Sequence, residues 1–267
     1  MKNQVWYGLP SISALLACPV LMVPACSRLG PCVSSPTHPE LWMSAATTAL
    51  LFLAATILVS WSVRFFFLVV KTAFLLKPLS LEPWSAGLRA AVGRTGASRV
   101  LCISGDMPLA FCAGILWPRI YVTCRLVGHL RPEELDAVLM HEQHHRRRRD
   151  PLLYAARQAL ADVCFCLPLL RWWALRRRED AELGADRAAI EAVGHRPVAG
   201  ALWALGTIAQ PFGTAAFQGS TGVRAAHILG DPLPRHRPSR ADWLCSVVGL
   251  LSVVSIAGCV SELLIPH

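Results

Sequence analysis

Leu41 to Val63 is a run of 23 residues without a charge, closed by Arg64. A helix of that length crosses the hydrocarbon core of a bilayer, so the run fixes a membrane span before anything else is decided. Trp243 to Ser261 is a second uncharged run, rich in Val, Leu, Ile and small residues, and reads as another span. Val5 to Cys26 is uncharged too, but Pro10, Pro19 and Pro24 interrupt it. Lys2 before it and Val23-Pro24-Ala25-Cys26 at its end suggest a cleaved signal sequence of the lipoprotein kind, which Pro24 fits poorly; a retained first span is the preferred reading. A hydrophobic content of 54% and a mean hydropathy of +0.44 suit such a chain.

The charges orient these spans. Of the 26 Lys and Arg, all except Lys2 and Arg28 lie between Arg64 and Arg240. Basic residues concentrate on the cytoplasmic side, most reliably near span ends, where Arg64, Lys71, Lys77 and Arg235 to Arg240 stand. The expected order is a first span and short outer loop over residues 1–40, and a second span with a cytoplasmic extension over 41–76. A cytoplasmic domain over 77–241 and a C-terminal span over 242–267 follow. The net charge of +9 then reflects attraction to the lipid bilayer surface, since no base-reading or stacking module points to nucleic acid. Of the ten cysteines, Cys102, Cys112, Cys124, Cys164 and Cys166 fall in the cytoplasmic part, where thiols stay reduced. Cys26 and Cys32 flank the outer loop and can pair, and Cys164-Phe165-Cys166 reads as core packing.

Local signals fill in the cytoplasmic part. Phe65 to Leu76 continues the second helix until Lys77-Pro78. Arg99 to Ser104, Leu109 to Ala113 and Arg119 to Cys124 read as strands of a small sheet. A helix is expected from Pro132, with Glu133, Glu134 and Asp136 complementing its positive end and Leu135, Val138 and Leu139 buried. Asp150-Pro151 is expected to end it. Leu152 to Leu170 is helical in character, Trp172-Trp173 reads as interfacial, Arg177 to Val193 is a helix stopped by Gly194, and Pro197 to Ala209 is a short helix. Pro211 to Arg240 is a connector.

The chemistry lies in His141-Glu142-Gln143-His144-His145. Residues four apart share a helical face, so His141 and His145 can hold one metal ion while Glu142 points beside it at the attacking water. His144 falls off that face, and Arg146 to Arg149 read as a solvated face near anionic headgroups. A catalytic zinc needs a third protein ligand. The downstream acidic candidates are Glu179, Asp180, Glu182, Asp186 and Glu191. Glu182 and Asp186 are four apart, so one can bind metal while the other bonds a histidine, which makes Glu182 the best third ligand.

Ile115-Leu116-Trp117-Pro118-Arg119-Ile120-Tyr121-Val122, Leu130-Arg131-Pro132-Glu133-Glu134-Leu135, the HEQHHRRRRDP stretch and Glu182-Leu183-Gly184-Ala185-Asp186 together resemble the protease region of BlaR/MecR-type membrane metallopeptidases. They are similar, more loosely, to HtpX/Ste24-type membrane peptidases. The resemblance implies one Zn²⁺ per chain on His141, His145 and Glu182, with Glu142 as catalytic base and Asp186 in support. The sensors of that type carry an outer penicillin-binding domain after their last span. This sequence stops at His267, so the protease module alone is expected.

The fold expected is thus a mainly α membrane protein with a small α+β, gluzincin-like zinc peptidase domain between transmembrane helices. The function expected is an integral-membrane zinc endopeptidase acting on a protein or peptide substrate at the cytoplasmic membrane face. A membrane-tethered signalling regulator that cleaves or binds a cytoplasmic transcriptional repressor is the alternative, and a non-catalytic scaffold is the third. Arg224 and His227 are the connector residues that could supply a donor to developing charge.

Overall fold

The computed structural model describes residues 39–206, 224 and 237–263. They are mainly helical with one small mixed sheet. The chain divides into two compact units, one of Met1–Ser60, Val163–Leu169 and Pro238–His267, the other of Trp61–Asp162 and Leu170–Arg237. The first span expected at Val5 to Cys26, the Cys26 and Cys32 pair, and His227 lie outside the described residues.

Helix α1 (Pro39–Leu76) runs for 38 residues and joins the uncharged stretch to its expected extension without a break. Its part Leu50–Leu76, of mean hydropathy 2.1, is the one stretch among the described residues found long and apolar enough to cross a membrane. Phe52 and Leu58 there are 71% and 61% exposed, as side chains meant for lipid would be. The last helix of the described residues, Arg240–Leu263, carries the second uncharged run. Within the first unit, the Leu169 backbone N–H donates to Ser246 Oγ of that helix at 3.1 Å.

The second unit begins on α1. Trp61 Nε1–H donates to the Ala156 carbonyl at 3.0 Å, and the Arg64 guanidinium pairs with Asp162 at 2.6 Å. After Lys77-Pro78, the sheet has strand order β1-β2-β4-β3, built from β1 (Leu81–Glu82), β2 (Val100–Ile103), β3 (Ala110–Ala113) and β4 (Arg119–Thr123). β2 and β4 are parallel, with Val100 opposite Ile120, and β3 returns antiparallel to β4 with Phe111 opposite Tyr121. Among the described residues, β3 therefore has one edge not taken by a strand.

Between β1 and β2 lies α2 (Ala86–Thr95), in a stretch where glycines left the sequence without a clear pattern. Ser85 Oγ accepts from the Leu88 N–H at its start, and Gly96 closes it at φ 62°, a left-handed conformation that costs glycine little. A short helix, α3 (Cys124–His129), leads to α4 (Pro132–Arg148). Proline at the first position of α4 gives up an N–H the helix would leave unbonded, and Glu134 accepts from the Arg131 N–H at 3.0 Å. Leu135, Val138 and Leu139 of α4 are buried against Leu88, Ile120, Val122 and Leu126, so the metal-motif helix rests on the sheet and α2. Arg94 grips Asp136 through Nε and Nη2 at 2.7 and 2.8 Å, locking α2 to α4.

Two expected boundaries move. Asp150-Pro151 does not end α4; Arg149 does so, in the left-handed region at φ 54°, with its N–H returned to the Arg146 and His145 carbonyls. Asp150 instead opens α5 (Asp150–Val163), whose first turn accepts Pro151 because no helical hydrogen bond is lost there. Likewise Pro168 opens α6 (Pro168–Val193), so the helix expected from Arg177 starts nine residues earlier and includes Trp172-Trp173. Gly194, at φ 88°, stops it as expected, and α7 (His195–Gly206) follows. The Arg240–Leu263 helix is α8.

Candidate metal centre

α4 brings His141, Glu142 and His145 to one buried end of the second unit, and α6 brings Glu182 and Asp186 from across it. His141, Glu142, His145 and Glu182 each retain less than a tenth of their exposure, and Asp186 none. His141 Nε2 and His145 Nε2 stand 3.1 Å apart, with Glu182 carboxylate oxygens 3.5 and 3.7 Å from them. One ligand atom from each of the three lies within 4.8 Å of the others. Among the described residues this is the one group of three or more His, Cys, Asp or Glu so arranged.

The other ring nitrogens decide whether these atoms can bind a cation. His145 Nδ1 is 2.7 Å from Asp150 Oδ2, and His141 Nδ1 is 3.0 Å from Asp186 Oδ1. Each carboxylate accepts the Nδ1–H, so that each Nε2 faces Glu182 and is the atom that binds a cation once it carries no proton. Two imidazole nitrogens and one carboxylate form a donor set that fits a catalytic metal with a position to spare. Asp150 is the partner that sequence reasoning assigned only to ending a helix. The left-handed turn at Arg149 folds it back onto His145 five residues earlier.

Arg224 is the second addition. It is 3% exposed and grips Asp186 bidentately, Nε to Oδ2 at 2.8 Å and Nη2 to Oδ1 at 2.6 Å, with Nη1 3.6 Å from Glu182 Oε2. Suggested from sequence as a donor to developing charge, it is instead committed to the carboxylate that orients His141. It lies 38 residues beyond Asp186, and no local sequence signal ties the two.

These contacts set the protonation of the site. Burial and Arg224 both oppose a charge on His141, but hydrogen bonds to Asp186 and Glu182 outweigh them and raise its pKa to about 9. Burial alone would raise the Glu182 carboxyl, yet its bond to His141 and the nearby positive groups bring it down to about 2. Asp186 is likewise held far below the usual carboxylate range despite burial, by His141 and Arg224. Cys112, beside Glu142 and Asp150, is pushed well up by burial, so its thiol stays protonated and offers no rival nucleophile.

Along the cluster runs a cleft of about 380 Å³, lined by β3, by Leu68 and Thr72 of α1, and by facing sides of α5 and α6. The candidate ligand set thus opens onto a cleft bounded by the edge of β3 that no described strand pairs.

The sequence pattern of the BlaR1 peptidase M56 family matches residues 33–204, well over half of the chain. The chain belongs to that family. No curated protein matches it. Membership of the BlaR1 peptidase M56 family marks the chain as a membrane-associated peptidase, and the His141, His145 and Glu182 cluster is compatible with the metal dependence that the family suggests. The BlaR1 match stops short of Arg224, whose bond to Asp186 is seen in the geometry.

Proposed function

We propose that the chain is an integral-membrane zinc endopeptidase of the gluzincin type that cuts protein or peptide substrates at the cytoplasmic face of the membrane. His141, His145 and Glu182 hold one Zn²⁺, Glu142 is the general base, and Asp186 supports His141. The observation that carries this reading is the convergence of the three ligand side chains within 4.8 Å, with both histidines tied through Nδ1 to carboxylates. When bound, the zinc polarises the scissile carbonyl and acidifies a water molecule. Glu142, one residue from His141 and lining the same cleft, takes the proton of the attacking water and passes it to the leaving amine. Asp150 and Asp186 hold the imidazoles in register throughout. β3 offers its open edge to the substrate backbone, the strand-addition mode of peptide binding.

The membrane assignment rests on α1, on the uncharged run in α8 and on the confinement of nearly all basic residues to the segment between them. The test compares cellular protein fragments from cells making the unaltered protein and Glu142→Gln. Fragments present only with the unaltered protein identify the substrate; an identical fragment pattern sinks the mechanism. Zinc retained by Glu142→Gln separates loss of the base from loss of the site, and a protein with no zinc affinity would be a scaffold.

Membership of the BlaR1 family favours a regulatory substrate, a cytoplasmic transcriptional repressor, over general turnover. A reporter under such a repressor should stop responding when Glu142 is replaced. A response that persists in Glu142→Gln counts against the regulatory role.

A further inference from the structure

The cleft does not stop at the metal cluster. α5 leads outward from Asp150, which holds His145, past Tyr154 to Arg157 and Gln158. α6 runs the opposite way, so Arg177 and Arg178 precede Glu182. Arg178 is one helical turn before Glu182 on the same face, and Arg157 is two turns beyond Asp150, about 10 Å along the helix. Both line the cleft, as does apolar surface from Leu68, Phe111 and Ile115.

Both arginines are engaged by aromatic side chains, Arg178 also donating from Nη1 to Tyr154 Oη at 3.5 Å. The Arg178 guanidinium lies 4.9 Å from the centre of the Tyr154 ring, and that of Arg157 lies 5.7 Å from the centre of the Trp173 ring. Among the described residues neither has a carboxylate within ion-pairing distance. The nearby acids are spent elsewhere: Asp162 on Arg64 and Gln158, Glu179 on Arg176, Asp180 on Arg176 and Arg177. Stacking on a ring orients a guanidinium without neutralising it, and leaves its N–H fork open for a carboxylate. Both side chains are half-buried, so a carboxylate docked there is screened less than on an open surface.

We infer that this wall selects substrates, Arg157 and Arg178 receiving an acidic side chain of the peptide a few residues from the bond that is cut. An extended chain advances about 3.3 Å per residue, so a side chain about three residues from the scissile bond comes level with Arg157. The inference rests on the peptidase reading, because the arginines face the same cleft as Glu142. Acidic lipid headgroups are the competing occupant of such a wall.

The test incubates the full-length, zinc-loaded protein with a peptide library in which each Glu-containing peptide has a Gln-containing twin, and reads the ratio of cleavage within each pair. Taking ratios cancels any general loss of activity in a variant. The expected result is a preference of tenfold or more for Glu at one position two to four residues from the cut. It falls to about one in Arg157→Gln/Arg178→Gln and turns toward Gln in Arg178→Glu. Equal cleavage of the twins by the unaltered protein, or a preference that survives the double substitution, overturns the inference. A second readout does not need turnover: binding of fluorescent Glu and Gln twins to the zinc-loaded Glu142→Gln protein. Loss of peptidase activity alone would leave that binding preference intact, whereas equal affinities overturn the selection of acidic side chains itself. If the double substitution changes only binding to vesicles rich in phosphatidylserine, the wall serves lipid and the inference fails.

Discussion

His141 and His145 are each tied through Nδ1 to a carboxylate outside the candidate ligand set. Removing such a partner typically costs 10- to 100-fold in metal affinity, so Asp150→Asn and Asp186→Asn should each weaken zinc binding by about that factor in competition with a chelator. Arg224→Ala should weaken it in the same direction, by freeing Asp186 to turn away from His141. Zinc affinity unchanged in all three variants would show that the carboxylates are bystanders. The raised pKa of His141, about 9, gives the pH dependence. In metal-stripped protein the histidine holds a proton at neutral pH, and zinc must displace it. Affinity should therefore fall as pH drops from about 9 toward 6, by about tenfold per unit from this residue. The sign for folding is opposite. A histidine whose pKa is raised on folding stabilises the metal-stripped chain fully below about 6.5, and that contribution disappears as pH rises through about 9. Thermal denaturation of the stripped protein from pH 6 to 10 checks it. At this scale His141 with His145, and Glu182 with Asp186, are legible as pairs because residues four apart share a helical face, whereas the meeting of the two helices is a tertiary contact that no spacing encodes. Asp150 and Arg224 are not legible, since one needs a left-handed backbone turn and the other a contact across 38 residues.

Among the elements, strands β2, β3 and β4 are readable from β-branched and apolar runs between turn residues. The parallel pairing of β2 with β4, and the two-residue β1, are not, because no local pattern encodes which strands become neighbours. The boundaries at Asp150 and Pro168 differ from expectation for one reason: proline is excluded from helix interiors but welcome in a first turn, and local sequence does not distinguish the two. The hinge between α4 and α5 is the most testable joint. Arg149 pays for its φ of 54°, so Arg149→Gly should raise stability by up to about 1 kcal/mol, and Arg149→Val should lower it. Inserting one alanine after Arg149 should do far more. It displaces Asp150 from His145 and should cut zinc affinity even though no functional side chain is altered. Equal affinity with the insertion would mean that the reach of Asp150 does not depend on this turn.

For the whole molecule, α1 carries the apolar stretch Leu50–Leu76 and, from Trp61, the start of the second unit. Phe52→Arg places a charge on a 71% exposed face of its apolar part, at a cost of about 3 kcal/mol for a central position, and should lower the fraction of protein recovered in alkali-washed membranes. Undiminished recovery would remove α1 as the main anchor. The two-unit division also has a direction in time. The second unit, with every ligand and carboxylate of the metal centre, is complete in sequence at Arg237, whereas α8 begins at Arg240. Chains fold in the order in which they are synthesised, domain by domain. The ribosome thus finishes the residues of the candidate metal centre before it makes the last apolar helix.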